Sequence, residues 1–460
     1  MASKYRTYQI EKLHFRGEGL AVEVSSESCR KIHIANALPG ETVVAVEPDL
    51  SESQERTVQC RRRYACLIDV VRPSSDRCQP VCPHWRRCSA CQFQCLCEDS
   101  QQKLKFDNWL RLIQREVRLP EKVVFKPALH KTGYRHRMDA LVFQHTLGMM
   151  PRLDFQQLES ENGSNVVRPI PLRECVLHAR ELNVWCVKVE NQLNLCRFPD
   201  NTPIEIEANS LESSEVQVRI TVYSKPEFSD RIREGAEKLW SSLGIPVIFQ
   251  VLPPRGSHVY PKPELFGDKP WYGYDVDGFG DVLYALKGAW TPVNPEHAHL
   301  IRDTLKEMVS PYTFESVLEL GCGCGTHTGV FRGHTKFYTG IDASWPAIQS
   351  AQYNAGKYDW QNVRFYTDTA EHYLDKRYYG GQRADAILMH SNRLPYSRKV
   401  AQLCKRFGAK HIFIVAPTAY ALSQECRHFV EQGFVMEQLV ICDTLPMTYH
   451  QMGVVHLQQV

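Results

Sequence analysis

The stretch Ser316-Val-Leu-Glu-Leu-Gly-Cys-Gly-Cys-Gly-Thr326 decides how this 460-residue chain is read. An apolar run ending in an acid, then three glycines at alternate positions, spells strand, tight turn and helix start. Gly321, Gly323 and Gly325 have no Cβ, so the backbone there can approach a ligand and take positive φ. Downstream, a second strand, Lys336–Ile341, ends at Asp342, about 20 residues past the turn, where an acid reaches ribose hydroxyls in a βαβ unit. A third, Val363–Thr367, ends at Asp368. Three strand-end signals in register predict a doubly wound α/β domain over residues 286–460.

A phosphate-binding loop needs a Lys-Ser/Thr pair or the spacing GxGxxG, and neither is present here. The acid-plus-glycine form resembles the first loop of Rossmann-type S-adenosylmethionine (AdoMet) methyltransferases. The resemblance implies that Glu319, Gly321, Gly323, Gly325, Asp342 and Asp368 bind the cofactor, with Asp368 beside the adenine.

The totals set bounds on the rest. The length suits two to four domains. No apolar run approaches the ~20 residues of a membrane span, and Met1-Ala-Ser-Lys-Tyr-Arg6 lacks an apolar signal core, so a soluble, cytoplasmic protein is expected. A net charge of +3 argues for nucleic acid only through local clusters. Of seventeen cysteines, six crowd between Cys78 and Cys97, which without a secretion signal reads as a metal or cluster site rather than a disulfide scaffold.

Residues 1–75 read as a small OB-like β-barrel, with strands near Tyr8–Lys12, Ala21–Val24, Lys31–Ile34 and Glu41–Val46. The turns Arg16-Gly-Glu-Gly19 and Ala37-Leu-Pro-Gly-Glu41 resemble those of a TRAM domain, a module that binds RNA; Arg61, Arg62 and Arg63 add a basic strip. Next, Cys82-Pro-His-Trp-Arg-Arg-Cys88-Ser-Ala-Cys91 gives C-x5-C-x2-C, and Cys175 is the candidate fourth ligand. Zinc favours two close pairs, so three plus one favours an iron-sulfur cluster, with Cys78, Cys95 and Cys97 as substitutes. A helix is expected over Asp99–Val117 and β-rich structure from Gly133 to about residue 285. Together these form a central α+β domain over 76–285, where Arg135, His136 and Arg137 are positioned either to grip RNA or as strand-edge charge. A helix over Pro295–Met308 leads into the glycine stretch.

The barrel, the cysteine spacing, Gly133-Tyr-Arg135 and the C-terminal domain together resemble the RNA uracil-C5 methyltransferase family, the RumA and TrmA type. The resemblance implies RNA, 23S rRNA or tRNA, as partner, AdoMet and a [4Fe-4S] cluster as cofactors, and a monomer. It also implies a Cys that attacks C6 of a flipped uracil and a Glu that removes the C5 proton. The family's Cys segment reads Ala416-Pro-Thr-Ala-Tyr-Ala-Leu-Ser-Gln-Glu425, with Pro417 at the nucleophile position. Its ending reads Asp443-Thr-Leu-Pro-Met-Thr-Tyr-His450-Gln-Met452, with Met452 at the position of the base. Its Asp-Pro-Pro-Arg reads His390-Ser-Asn-Arg393, and its Phe-x-Gln-Val-Asn reads Trp290-Thr-Pro-Val-Asn294, which places Pro292 at the Gln. The expected function is therefore that of an RNA-binding, degenerate family member, a pseudoenzyme or assembly factor with weakened AdoMet binding. The alternatives are an active RNA methyltransferase using a displaced nucleophile or direct transfer, and a redox-sensing RNA-binding protein in which the cluster is the working part.

Overall fold

The computed structural model describes residues 5–14, 16–24, 31–47, 63–149, 169–171, 174–210, 216–252, 263–267, 271–277 and 280–460. Alternating burial along β1 (Tyr5–Leu13) and β4 (Thr42–Val46) turns one face of each strand inward. With β2 (Glu18–Glu23), β3 (Ile32–Ala35) and β5 (Tyr64–Arg72) they close into a barrel of order β1-β2-β3-β5-β4 around Ile10, Ala21, Ile34 and Val43. The Leu38-Pro-Gly-Glu41 turn owes its form to a buried carboxylate. Glu41 accepts from Leu38 N at 2.8 Å and from Arg77 Nε at 2.5 Å and Nη2 at 2.7 Å, and so ties the barrel to the cysteine segment. Arg61 and Arg62 lie outside the described residues; Arg63 is exposed and pairs with Glu47.

The helix expected over Asp99–Val117 is α1, Glu98–Ile113. Sequence reading assigned it to the central region, whereas its buried face packs on the C-terminal core. Trp109, Ile113 and Val117 sit with Leu422, Phe429 and Val455, and a Cβ on Gly453 would lie 2.7 Å from the Trp109 ring. The short strand β6 (Lys122–Lys126), which sequence reading missed, follows it to the edge of the C-terminal sheet. Mixed polar and apolar residues in Lys-Val-Val-Phe-Lys give little periodicity to read.

Between them a seven-stranded sheet has the order β13-β12-β11-β10-β7-β8-β9. Its strands are β7 (Arg137–Phe143), β8 (Thr146–Met149), β9 (Ile170–Pro171), β10 (Pro203–Ser210), β11 (Val216–Ser224), β12 (Val247–Val251) and β13 (Glu264–Phe266). Helices α2 (Arg180–Glu190), α3 (Leu193–Cys196) and α4 (Ser229–Leu243) cover the core of Met138, Ile206, Val222 and Leu239. The hairpin β14 (Trp271–Val276) and β15 (Val282–Leu286) packs Tyr272 and Tyr274 into the C-terminal core.

The last sheet runs β18-β17-β16-β19-β20-β22-β21-β6. It is parallel across β16 (Phe314–Leu320), β17 (Thr335–Asp342), β18 (Val363–Thr367), β19 (Ala386–His390) and β20 (His411–Ala416). β22 (Met452–Gln459) is antiparallel to both β20 and β21 (Phe434–Cys442). Helices α5 (Pro295–Val309), α6 (Thr328–Arg332), α7 (Trp345–Lys357), α8 (Ala370–Tyr379), α9 (Arg398–Arg406) and α10 (Ala419–Val430) complete a doubly wound unit. Strand order reverses at β16, so the crevice beyond the strands' carboxyl ends is where such a sheet takes a ligand. Among the described residues, no helix is long and apolar enough to cross a membrane.

Candidate functional site

The loop after β16 has the backbone that its glycines permit: φ is +77° at Gly321, +54° at Gly323 and +85° at Gly325. A Cβ on Gly321 would meet His390 O at 2.7 Å, so that position excludes any side chain. Gly321 N and Cys322 N donate to Ile341 O at 2.8 and 3.0 Å, which pins the loop to β17. Asp342 stands at the end of β17 as expected, where its carboxylate accepts from Gly323 N at 3.0 Å and Ser344 N at 2.8 Å. Asp368 is further out; it caps Thr369 N at 2.7 Å and meets His372 Nδ1 at 2.8 Å.

Glu319 is placed differently from the expectation of a ligand contact. It is fully buried, accepts from the Tyr338 hydroxyl and lies 3.3 Å from His327 Nδ1, so it braces the loop from behind. A surface cavity of about 440 Å³ lies on the outer side of α7 and β18, lined by Gln352, Asp359, Trp360 and Arg364, away from this loop.

Facing the loop are the ends of β19, β20 and β22. Pro417 follows β20 directly, and Met452 opens β22 with its Sδ against His297 Nε2. Burial, with the neighbouring imidazoles, pushes His390 and His297 down to about 3, which leaves both neutral. Side-chain hydrogen bonds hold the surrounding frame. Asn294 caps α5 at His297 N and donates to Thr444 O at 3.0 Å, which fixes the segment that carries Pro292. Ser391 donates to Glu425 at 2.5 Å and Tyr396 N donates to the same carboxylate at 2.8 Å. Burial pushes Glu425 up to about 7. Sequence reading missed this pair, because a Glu inside a helical pattern gives no sign that it is buried. It also missed Lys105, which is buried against Asp443 at 2.5 Å.

The cysteines divide into two groups. Cys82, Cys88 and Cys91 are buried, and Cys175 is brought to them: the charges of Cys175, Cys88 and Cys82 act on Cys91, whose thiol burial pushes up to about 12. Burial likewise raises Cys175, with Cys88 and Cys82 adding to it. Asn183 clamps Cys175 through its N (3.2 Å) and its O (3.2 Å). Gln94 accepts from Cys82 N at 3.1 Å and favours the Cys91 thiolate. The proposed substitutes are committed elsewhere: Cys78 Sγ to Gln94 O (3.4 Å), Cys95 Sγ to Asn36 O (3.8 Å) and Cys97 Sγ to Ser100 Oγ (3.2 Å). Among the described residues, no cysteine is in a disulfide.

Gly133-Tyr-Arg-His-Arg137 joins the central sheet to the C-terminal unit. Tyr134 OH donates to Pro446 O at 2.9 Å, His136 N to Val293 O at 2.9 Å and Arg137 Nη1 to Thr291 O at 3.2 Å. Arg137 also lies 3.5 Å from Glu207, and Arg135 lies 3.3 Å from Asp139, so these arginines are largely engaged in the frame. A positive field gathers instead around His450: burial, then the charges of Arg393, Lys105, Arg135 and Arg16, push its imidazole down to about 4.

A doubly wound sheet with this glycine loop is the architecture of a methyltransferase domain, and residues 314–446 match the family model described as "Methyltransferase domain". Along nearly its whole length the chain is similar to RNA uracil-C5 methyltransferases. It is 22% identical over 462 residues to the 23S rRNA (uracil(1939)-C(5))-methyltransferase RlmD of Vibrio parahaemolyticus, covering 97% of this chain and 94% of the relative. It is 24% identical over 472 residues to the RlmD of Vibrio campbellii, with the same coverage of 97% and 94%. The crystal structure of Pyrococcus abyssi tRNA (uracil-54, C5)-methyltransferase in complex with S-adenosyl-L-homocysteine superposes with a TM-score of 0.69 over 98% of this chain and 99% of that one, at 15% identity, which shows the shared fold.

Proposed function

We propose that this chain is an RNA-binding, AdoMet-binding member of the RNA uracil-C5 methyltransferase group that has lost uracil methylation and serves as a cytoplasmic, monomeric binding or assembly factor on 23S rRNA or tRNA. One observation carries the reading: at the strand ends bordering the crevice, Pro417 and Met452 stand where the resemblance puts the nucleophile and the base, and the neighbouring cysteines and imidazoles are held in unreactive forms. Cys426 and Cys442 are fully buried; burial raises Cys426 far above the ordinary thiol range and pushes Cys442 up to about 12. At neutral pH such a thiol stays protonated, and the thiolate is the attacking species. His297 and His390, held near 3, are too weakly basic to take a proton at neutral pH.

On this reading Gly321, Gly323, Gly325 and Asp342 receive AdoMet, Asp368 lies near its adenine, and His390 and Pro292 alter the methionine side. Bound, AdoMet supplies an electrophilic methyl group. Cys82, Cys88, Cys91 and Cys175 are suited to a [4Fe-4S] cluster. A single zinc needs sulfurs ~3.8 Å apart, from Zn–S bonds of ~2.3 Å, whereas among the described residues no three of these thiols lie within 4.8 Å of one another. The cluster ties the cysteine segment to the central sheet. Arg16, Arg393 and Arg135, converging on His450, offer phosphate contacts. The units are drawn as a barrel to residue 75, a central part, and a methyltransferase unit from residue 286, which α1 and β6 join from outside.

The test is RNA carrying 5-fluorouracil. An active enzyme of this mechanism is trapped as a denaturant-stable adduct; here none is expected, and nucleoside mass spectrometry of RNA from cells with and without the gene should show no change in 5-methyluridine. An adduct that vanishes in Cys426→Ala or Cys442→Ala overturns the reading.

A further inference from the structure

Outside the crevice, the mouth of the barrel gathers two imidazoles and a carboxylate from three adjacent strands. His14 follows β1, Glu18 opens β2 and His33 lies in β3. Glu18 Oε2 is 3.0 Å from His14 Nδ1 and 3.4 Å from His33 Nδ1, and all three atoms lie within 4.8 Å of one another. A tetrahedral ion with bonds of ~2.0–2.1 Å sets its ligand atoms ~3.3 Å apart, so both approaches match edges of such a tetrahedron.

Both approaches are at ion-pair distance, yet neither has the alignment of a hydrogen bond. Glu18 Oε2 and His33 Nδ1 are buried and have no hydrogen-bond partner, a costly state for a carboxylate and an imidazole. Arg16 N points at His14 Nδ1 from 3.4 Å, so this nitrogen presents a lone pair. A lone pair 3.0 Å from a carboxylate oxygen repels it unless a proton or a metal cation lies between them, and with Arg16 N on the His14 nitrogen a metal cation fits that place. The scaffold is rigid: His14 N donates to Glu18 O at 2.8 Å, Gly17 N to His14 O at 2.9 Å, and His33 packs edge-on against His14 at 5.2 Å and, tilted, against Tyr64 at 5.4 Å.

We propose that His14, Glu18 and His33 bind one zinc-class divalent ion, with a fourth position left to water. Two neutral imidazoles and one carboxylate suit zinc, and no sulfur takes part, so the site is chemically distinct from the cysteine centre. The ion fixes the turn that carries Arg16 toward His450.

The full-length protein, with its cysteine centre loaded anaerobically and stray metal removed by EDTA, is titrated with cobalt(II) chloride. One equivalent should bind with an intense visible band of four-coordinate cobalt and no near-ultraviolet thiolate charge-transfer band. Zinc chloride should displace it and raise Tm. Both His33→Ala and Glu18→Gln should lose that equivalent and the shift in Tm while keeping their iron and far-ultraviolet circular dichroism. If Glu18→Gln unfolds, His14→Gln is read in its place. Undiminished cobalt uptake in the folded variants, a thiolate band on the bound cobalt, or no uptake at all overturns the proposal.

Discussion

The glycine loop after β16 and the ends of β19, β20 and β22 border one crevice, and they differ in what they carry. The loop has the strained backbone, the excluded side chain at Gly321 and the acid at Asp342 that a cofactor site needs. The facing edge has an intact frame, Asn294 to Thr444 and Ser391 to Glu425, around Pro417, Met452 and two neutral imidazoles. The groups that build such a crevice are therefore separable from those that react in it. Buried hydrogen bonds hold the fold, and leaving one unpaired costs about 1–3 kcal/mol, so such a frame is kept on grounds of stability alone.

The largest expected effect is all-or-none. Fluorinated RNA should give no adduct, and the double variant Pro417→Cys, Met452→Glu should still give no 5-methyluridine, because Pro292 and His390 remain. Methylation by the double variant would collapse the contrast to two side chains. Next comes iron: anaerobic protein should be brown with roughly four irons, and Cys88→Ser should lose them and destabilise the central region. Stoichiometric zinc without iron would remove the cluster.

On the cofactor side, Gly321→Ala places a Cβ 2.7 Å from His390 O at φ +77° and should cost about 1–3 kcal/mol along with AdoMet binding measured by calorimetry. Asp342→Ala should weaken binding without that loss of stability. If neither changes the affinity, the loop is not the cofactor site. On the opposite edge, Glu425 tests the frame. Its folded value, about 7, lies above the unfolded carboxylate value, so the stability it contributes is fully present below about pH 4.3 and is lost as pH rises through 7. Between pH 4 and 8, wild type should lose roughly 3 kcal/mol of unfolding free energy relative to Glu425→Gln; parallel pH profiles would place the carboxyl in water.

Much of this contrast was legible in the sequence because it rests on periodicity and on residues with one dominant use. Alternating glycines, strand-end acids and C-x5-C-x2-C each imply a local geometry, and the strands Val363–Thr367 and Val247–Val251 fell where the apolar runs placed them. What could not be read depends on tertiary neighbours. Glu319 looks like a ligand contact until Tyr338 and His327 are seen to enclose it. The face of α1 gives no hint that Lys105 will be buried against Asp443, 338 residues away. Likewise Arg135 and Arg137 could be read either as RNA-gripping or as strand-edge charge, and only tertiary neighbours show Arg137 set 3.5 Å from Glu207.

That last placement shapes the RNA prediction, and with it the smallest effect. If the frame engages Arg137, phosphate contacts fall to cations that face the crevice mouth, and Arg393 is one: it is exposed, follows β19, and its charge is the first of those that depress His450. Affinity for a transcript containing a uracil-bearing loop should fall steeply with salt, with a log-log slope of several units. Removing one phosphate contact should lower that slope by about 1 and weaken binding by a similar factor on every sequence. Arg393→Ala should do this, whereas Arg137→Ala should lower stability and leave the slope unchanged. The reverse pattern would mean that RNA draws Arg137 away from Glu207 on binding, and the central sheet rather than the crevice mouth would then be the surface that RNA meets first.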